Sequence, residues 1–157
     1  MRMIALACAI LMPTAALAET PAASPPVGYG APIGTSEALT LIQRAIERSR
    51  ALGLKMAIAV VEPSGELVAF ARMDDVPYGS IELAQKKART SARFRLTTAS
   101  AQERVQSGRL SLLSAEGFVA IGGGVPIVAN GRVIGALGLS GATAAEDTAL
   151  AAELVAQ

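Results

Sequence analysis

The alternation of apolar and polar residues predicts a chain in which helices alternate with hairpin-linked strands. Apolar side chains recur at helical spacing over residues 36–52, and Gly53 follows as a stop, which predicts a first helix. A continuous apolar run over 56–61 predicts a strand with both faces covered. A Pro-Ser-Gly turn at 63–65 then leads into a second predicted strand at 66–72.

The middle of the chain predicts a second helix over residues 81–97, capped by Ser80. Ala84, Ala88 and Ala92 follow one another at intervals of four, so one face of this helix is unusually small. Such a face can approach a sheet or another helix closely. A short helix over 100–107 is expected next.

The stretch 121–141 holds seven of the fifteen glycines and predicts most of the remaining sheet. We expect strands at 118–121, 125–129 and 132–139. Asn130-Gly131 between the last two is typical of a type I′ hairpin turn. A final helix over 143–156 is predicted by the capping-box sequence Thr-Ala-Ala-Glu at 143–146.

The last predicted strand has one nearly bare face. Ile134, Ala136 and Gly138 alternate with larger residues, so a helix or a flat ligand could approach the backbone there. The order of elements predicts an α/β (α+β) domain with an antiparallel sheet and helices on one or both faces.

The amino terminus has the pattern of a secretory signal at 1–18: Arg2, an apolar run, and Ala-Leu-Ala before Glu19. The run is shorter than the roughly 20 residues of a membrane span, which argues against the alternative of an anchor. Residues 19–34 contain four prolines and predict a flexible linker. We therefore expect a mature domain at 35–157, periplasmic or secreted after cleavage near Ala18, with no membrane span.

Composition excludes several kinds of site. The chain has no histidine, and its one cysteine, Cys8, leaves with the predicted signal, so we expect no metal site. Loss of Arg2 leaves 13 basic residues against 13 acidic ones. This neutral balance, with only 3% aromatic residues, argues against a nucleic-acid partner.

A few residues remain as candidates for ligand binding or catalysis. The Gly-Gly-Gly-Val-Pro turn at 122–126 is either the wall of a binding site or a tight turn. Asp74 and Asp75 could act as paired acids, although adjacent loop aspartates are usually solvated. Ser140 has no histidine to activate it as a nucleophile. Lys86 and Lys87 could form a Schiff base, pair with a carboxylate, or lie on a solvated helix face.

Five short sequence segments follow one another along the chain: AVVEPSGELVA at 59–69, ARMD at 71–74, AxxKAxT at 84–90, GGGVPI at 122–127 and IGALGLSG at 134–141. Together they resemble the GlcG/HbpS-like family of haem-degrading-protein-like domains. The resemblance implies a profilin-like fold with a five-stranded antiparallel sheet and helices on both faces. It also implies assembly into dimers to octamers and, in some members, haem binding. Asp75 and Val76 depart from the family's usual Gly-Ala, and Glu62 from its usual Asp.

Two hypotheses follow from the residues and the resemblance. In the first, the protein is a homo-oligomer that binds a small molecule, most simply haem or a related tetrapyrrole as cofactor, without catalysis. In the alternative, it is an enzyme or enzyme accessory for small 2-hydroxy or 2-oxo carboxylates, with Arg72 as carboxylate clamp and Asp74 or Lys87 moving protons. The candidate ligand-binding residues are Arg72, Met73, Asp74, Lys87, Gly123, Gly124, Pro126 and Ser140.

Overall fold

The structure is a computed structural model that describes residues 28–156. The predicted signal at 1–18 and residues 19–27 of the predicted linker lie outside the described residues. The described residues form five strands: β1 (Gly28–Tyr29), β2 (Ala57–Val61), β3 (Leu67–Arg72), β4 (Gly124–Ala129) and β5 (Arg132–Ser140).

Within residues 28–156, four α-helices lie between and after these strands. They are α1 (Thr35–Ala51), α2 (Tyr78–Phe94), α3 (Thr98–Gln106) and α4 (Ala144–Val155), and a 3-10 helix at Leu110–Ser114 follows α3. The predicted fold class, an α+β domain with a five-stranded sheet, is therefore confirmed.

Strand β5 lies at the centre of the sheet. β4 runs antiparallel along one edge of it, with Gly124 opposite Gly138. The other edge pairs with β2, where Ala57 lies opposite Ser140, and β2 in turn pairs with β3. The Asn130–Gly131 turn between β4 and β5 has positive φ at both residues, 50° and 70°, as the predicted type I′ hairpin requires.

The expectation of a strictly antiparallel sheet is wrong, because β1 runs parallel to β5. Gly28 lies opposite Arg132, on a part of the β5 edge that β2 does not reach. Ile33 follows with only 4% of its surface exposed, and its N–H donates to the carbonyl of Ile134. Residues 28–33, which belong to the segment predicted as a linker, are thus paired with the sheet.

The predicted strand at 118–121 is absent, and its residues are irregular. Phe118 packs edge-on against Phe94, with ring centroids 4.9 Å apart. The N–H of Val119 donates to the hydroxyl of Thr90, at 3.0 Å, instead of to a strand. Contacts with α2 therefore replace strand pairing in this segment.

Helices cover both faces of the sheet, as predicted. α1 and α4 pack on one face through apolar residues such as Leu41, Ile42 and Leu150, against Ile58 and Leu137 among others. α2 packs on the other face through its alanines. Burial of these apolar surfaces is what holds the layers together.

The nearly bare face of β5 lies under α2 and faces no ligand. A Cβ placed on Gly138 would collide with the Ala84 carbonyl and would lie 2.7 Å from the Ala88 nitrogen. The alanine stripe of α2 thus lets two backbones meet with no side chain between them. This contact rules out the Ala136 and Gly138 face as the binding surface for a flat ligand.

Candidate functional site

The structure divides the candidate residues into separate groups. The first group lies at the exposed end of β3 and consists of Arg72, Met73 and Asp74. The second group lies in the interior and consists of Lys87, Gly123, Gly124 and Ser140. Pro126 stands apart on β4, opposite Ala136 and on the far side of β5 from β2.

An open pocket surrounds the first group. Its walls come from three parts of the chain: the last turns of α1, the connection to β2, and the end of β3. The lining residues are Ile46, Arg50, Lys55, Arg72, Met73 and Asp74. Sequence reasoning found the last three because they are adjacent, and missed Arg50 and Lys55 because only the fold brings them there.

Three cations surround this pocket, from here on called the Arg72 pocket. The Arg72 guanidinium lies 5.9 Å from the ring centre of Tyr78, within the range of a cation–π contact. The Lys55 ammonium bonds to the Asp75 carboxylate at 2.5 Å. Lys55, through that bond and its charge, lowers the pKa of Asp75, and the charge of Arg72 acts in the same direction.

Met73 forms an apolar part of the floor. Its N–H donates to the carbonyl of Met56 at 3.0 Å, and the N–H of Met56 faces the Met73 sulfur at 3.4 Å. These two contacts extend the pairing of β2 and β3 by one residue. The half-buried thioether of Met73 is thus held at a fixed position beside the three cations.

The second group surrounds a buried ion pair. Lys87 on α2 bonds to Asp147 on α4 at 2.7 Å, with side-chain exposures of 1% and 2%. The ammonium also donates to the Leu139 carbonyl at 3.0 Å, and the other carboxylate oxygen accepts from the Ala142 N–H at 3.1 Å. Burial raises the pKa of Asp147, against the opposing effect of Lys87.

The pairing of Lys87 with a carboxylate confirms one of the alternatives considered from the sequence. Its position on the helix could have shown that it is buried, because Ala84, Lys87 and Ser91 follow one another at helical spacing on the small face of α2. Its partner was missed. Asp147 resembled an ordinary first-turn acid that complements the helix dipole.

The glycine turn is a packing element that covers this ion pair. A Cβ on Gly123, which has φ 122°, would lie 2.9 Å from the Lys87 nitrogen and 2.8 Å from the Asp147 Cβ. The N–H of Gly122 donates to Gln102, and the N–H of Gly124 donates to Thr98. Those two donors are therefore used within the protein, and the tight-turn interpretation fits the structure better than an anion cradle.

Two further polar residues are either buried or already bonded within the protein. Ser140 is 3% exposed at the end of β5, opposite Ala57. Arg89 donates to the Gly65 carbonyl at 3.2 Å, which is a contact within the protein. The Arg72 pocket is therefore the place where candidate residues meet solvent together.

Within residues 28–156, no group of three or more acidic, histidine or cysteine side chains could hold a metal ion. No helix in that same part of the chain is long and apolar enough to cross a membrane.

Comparison with known proteins agrees with this architecture. Protein GlcG of Escherichia coli is 36% identical over 103 residues, which cover 66% of this chain and 77% of GlcG. The crystal structure of a PduOC:haem complex superposes with a TM-score of 0.72 at 29% identity, covering 80% of this chain and 94% of that one. HbpS of Streptomyces reticuli, as a double mutant, gives a TM-score of 0.76 at 23% identity, over 90% and 97% of the two chains.

The sequence profile of the family described as "Haem degrading protein HbpS-like" matches residues 33–156. That range begins at buried Ile33 and ends just after α4, so it contains both helical layers and all of the sheet except β1. The chain therefore belongs to the HbpS-like family.

Proposed function

We propose that this protein binds haem or a related tetrapyrrole at the Arg72 pocket. The observation that carries the proposal is the conjunction of three cationic side chains with an apolar floor at the end of β3. A tetrapyrrole bears carboxylates on a flat apolar ring, so it needs both kinds of surface together. Ligand sites of this kind combine apolar walls with a few well-placed polar groups.

The residues of the pocket fit such a ligand at its carboxylates and on one face. Arg72 and Arg50 can donate charge-assisted hydrogen bonds to carboxylates, and Ile46 and Met73 offer apolar contact. The chain has no histidine. The groups near the pocket that could meet an iron atom are the Met73 thioether and the hydroxyl of Tyr78, a residue that is 81% exposed.

The comparisons support the same ligand class. A protein 29% identical to this chain has been crystallised as a haem complex. The family is described by reference to haem. Neither finding assigns a residue of this chain to the ligand, so that assignment rests on the pocket.

The alternative, proton chemistry on small carboxylic acids, finds less support in the geometry. Lys87 is 1% exposed and bonded to Asp147, so it cannot reach a substrate in the Arg72 pocket. Asp74 is left as the proposed acid or base, and it is exposed at the rim.

A haemin titration followed at the Soret band tests the proposal. We expect a shift at micromolar haemin, and Arg72→Ala should weaken binding about 5- to 10-fold, because it removes a charge-assisted hydrogen bond to a carboxylate. Arg104→Ala, which removes an exposed arginine on α3, is the matched control and should bind as the unchanged chain does. Equal affinity for all three proteins would place the ligand elsewhere.

We also propose that the protein acts after export and as a homo-oligomer. The signal-like pattern at 1–18 supports export. Exposed apolar side chains support self-association, among them Leu110 at 63%, Leu113 at 53% and Val128 at 50%.

A further inference from the structure

Asp75 places a carboxylate where a carboxylate of a ligand would bind. Its Oδ2 lies 2.5 Å from the Lys55 ammonium, and Lys55 lines the Arg72 pocket. Lys55 is therefore already paired within the protein. A ligand carboxylate that approaches this lysine must first displace the side chain of Asp75.

The backbone holds Asp75 at this position. Its φ is 61°, in the left-handed region that aspartate and asparagine tolerate better than most residues. On one side of it, Met73 is paired with Met56. On the other side, Val76 is 4% exposed in the apolar cluster under α2. The loop is thus fixed at both ends, and the carboxylate is directed at Lys55.

The pair itself remains accessible. The side chains of Lys55 and Asp75 are 55% and 76% exposed, so water and ions reach both. Exposed ion pairs of this kind contribute little to stability and exchange readily. The contact is therefore weak enough for a ligand carboxylate to displace, and it can lower the affinity for that ligand only modestly.

We propose that Asp75 is an internal competitor that sets the affinity and charge selectivity of the Arg72 pocket. Arg72 takes the first carboxylate of a ligand, and Lys55 takes a second only after Asp75 turns away. Asp75 therefore lowers the affinity for ligands with two carboxylates more than for ligands with one. This inference rests on the proposed function for its site, and its test separates the two.

Affinity for haemin should rise about 2- to 5-fold in Asp75→Asn, the range expected when an exposed ion pair no longer competes. Asparagine keeps the left-handed backbone, so the loop stays in place. The gain should vanish for haemin dimethyl ester, which lacks free carboxylates. It should also vanish when Asp75→Asn is made in a Lys55→Met chain, because the lysine to be released is gone.

Glu82→Gln is the matched control. It releases Lys86 from an exposed pair at 2.7 Å on α2, outside the pocket, and changes the net charge by the same amount. We expect no gain in haemin affinity from it. An equal gain in this control, in the Lys55→Met background or with the ester would show that the gain does not come from competition for Lys55, and would overturn the proposal.

Succinate provides a second probe, because it has two carboxylates and no ring. Its binding can be followed by NMR shifts of the Arg72 side chain, and Asp75→Asn should tighten it by a similar factor. Absence of haemin binding together with a gain for succinate would refute the haem function and keep Asp75 as competitor. No gain with either probe would refute the competitor.

Discussion

Lys87 and Asp147 stand out because they place two charged groups in the protein interior. Both are charged and almost fully buried, and each has a second hydrogen-bond partner on the backbone. A buried pair of this kind adds little over an apolar pair, but loss of one partner leaves an uncompensated buried charge. The pair fixes the position of α2 relative to α4, because it joins the two helices beneath Gly123.

Asp147→Asn should lower the free energy of unfolding by about 3–5 kcal/mol at neutral pH, because the buried Lys87 ammonium loses its counter-charge. The double variant Lys87→Met/Asp147→Asn should recover much of that loss. Urea denaturation of the single and double variants measures both values. A double variant as unstable as Asp147→Asn alone would show that packing, and not charge, dominates at this position.

The pH dependence of Lys87→Met follows from the same pair. Burial already raises the folded-state pKa of Asp147 above its ordinary 3.8, and removal of Lys87 takes away the largest opposing effects and leaves the weaker one of the Ala142 N–H. The stability of this variant should therefore be highest below the ordinary pKa and should fall as the pH rises through the folded-state pKa. Urea midpoints across that range, with the double variant as reference, test the sign.

At the scale of elements, α4 begins with a complete capping box. The hydroxyl of Thr143 accepts from the Glu146 N–H at 3.3 Å, and the Glu146 carboxylate accepts from the Thr143 N–H at 3.1 Å. The hydrogen bonds from Thr143 lower the pKa of Glu146 below its ordinary 4.5. This start was predicted from sequence because all the groups that form it lie within four residues.

Thr143→Ala should destabilise the protein by about 1 kcal/mol near neutral pH, the usual effect of losing an N-cap. Since the folded-state pKa of Glu146 is depressed, the contribution of its carboxylate is complete above 4.5 and is lost as the pH falls through the folded value. The difference between the two proteins should therefore shrink in acid. Thermal melts at several pH values measure it, and a constant difference would contradict the role of the carboxylate.

Secondary-structure elements were predictable where residues close in sequence determine them. The apolar run of β2 and the Asn130–Gly131 turn are examples. β1 was missed because two residues carry no periodicity, and its pairing depends on where β2 stops. Helix α2 begins at Tyr78 and not after Ser80, with Pro77 as its N-cap residue. Buried Val76 fixes the entry to that helix, which the sequence does not reveal.

The same limit applies to the site. Arg72, Met73 and Asp74 were found together because they are consecutive, and their exposure at the end of a strand follows from the hairpin. Arg50 and Lys55 reach the pocket through the packing of α1 on the sheet, which one sequence does not specify. Lys87 was selected for its chemistry, although its spacing with the alanines of α2 already indicated burial.

At the scale of the whole molecule, two helical layers enclose a sheet whose central strand is β5. The described surface nevertheless keeps exposed apolar side chains, including Leu110 and Val128. A second copy of the chain is the partner we propose for such surface.

The protein recovered from its own host should begin near Glu19 and sediment as an assembly of at least two chains. Amino-terminal sequencing tests export, since removal of residues 1–18 is what the signal-like pattern predicts. Sedimentation velocity tests self-association. A start at Met1 would contradict export, and a monomer at micromolar concentration would contradict assembly.

The central position of β5 also has a consequence for when the protein can fold. Val60 pairs with Leu137, and Gly28 with Arg132, so the sheet closes only when distant parts of the chain meet. Closing such long loops is entropically costly and slows folding relative to helical proteins of similar size. During synthesis, β2 has no central partner until β5 is complete. A chain that stays open until its last strand is made remains unfolded for longer, which would suit the export we propose.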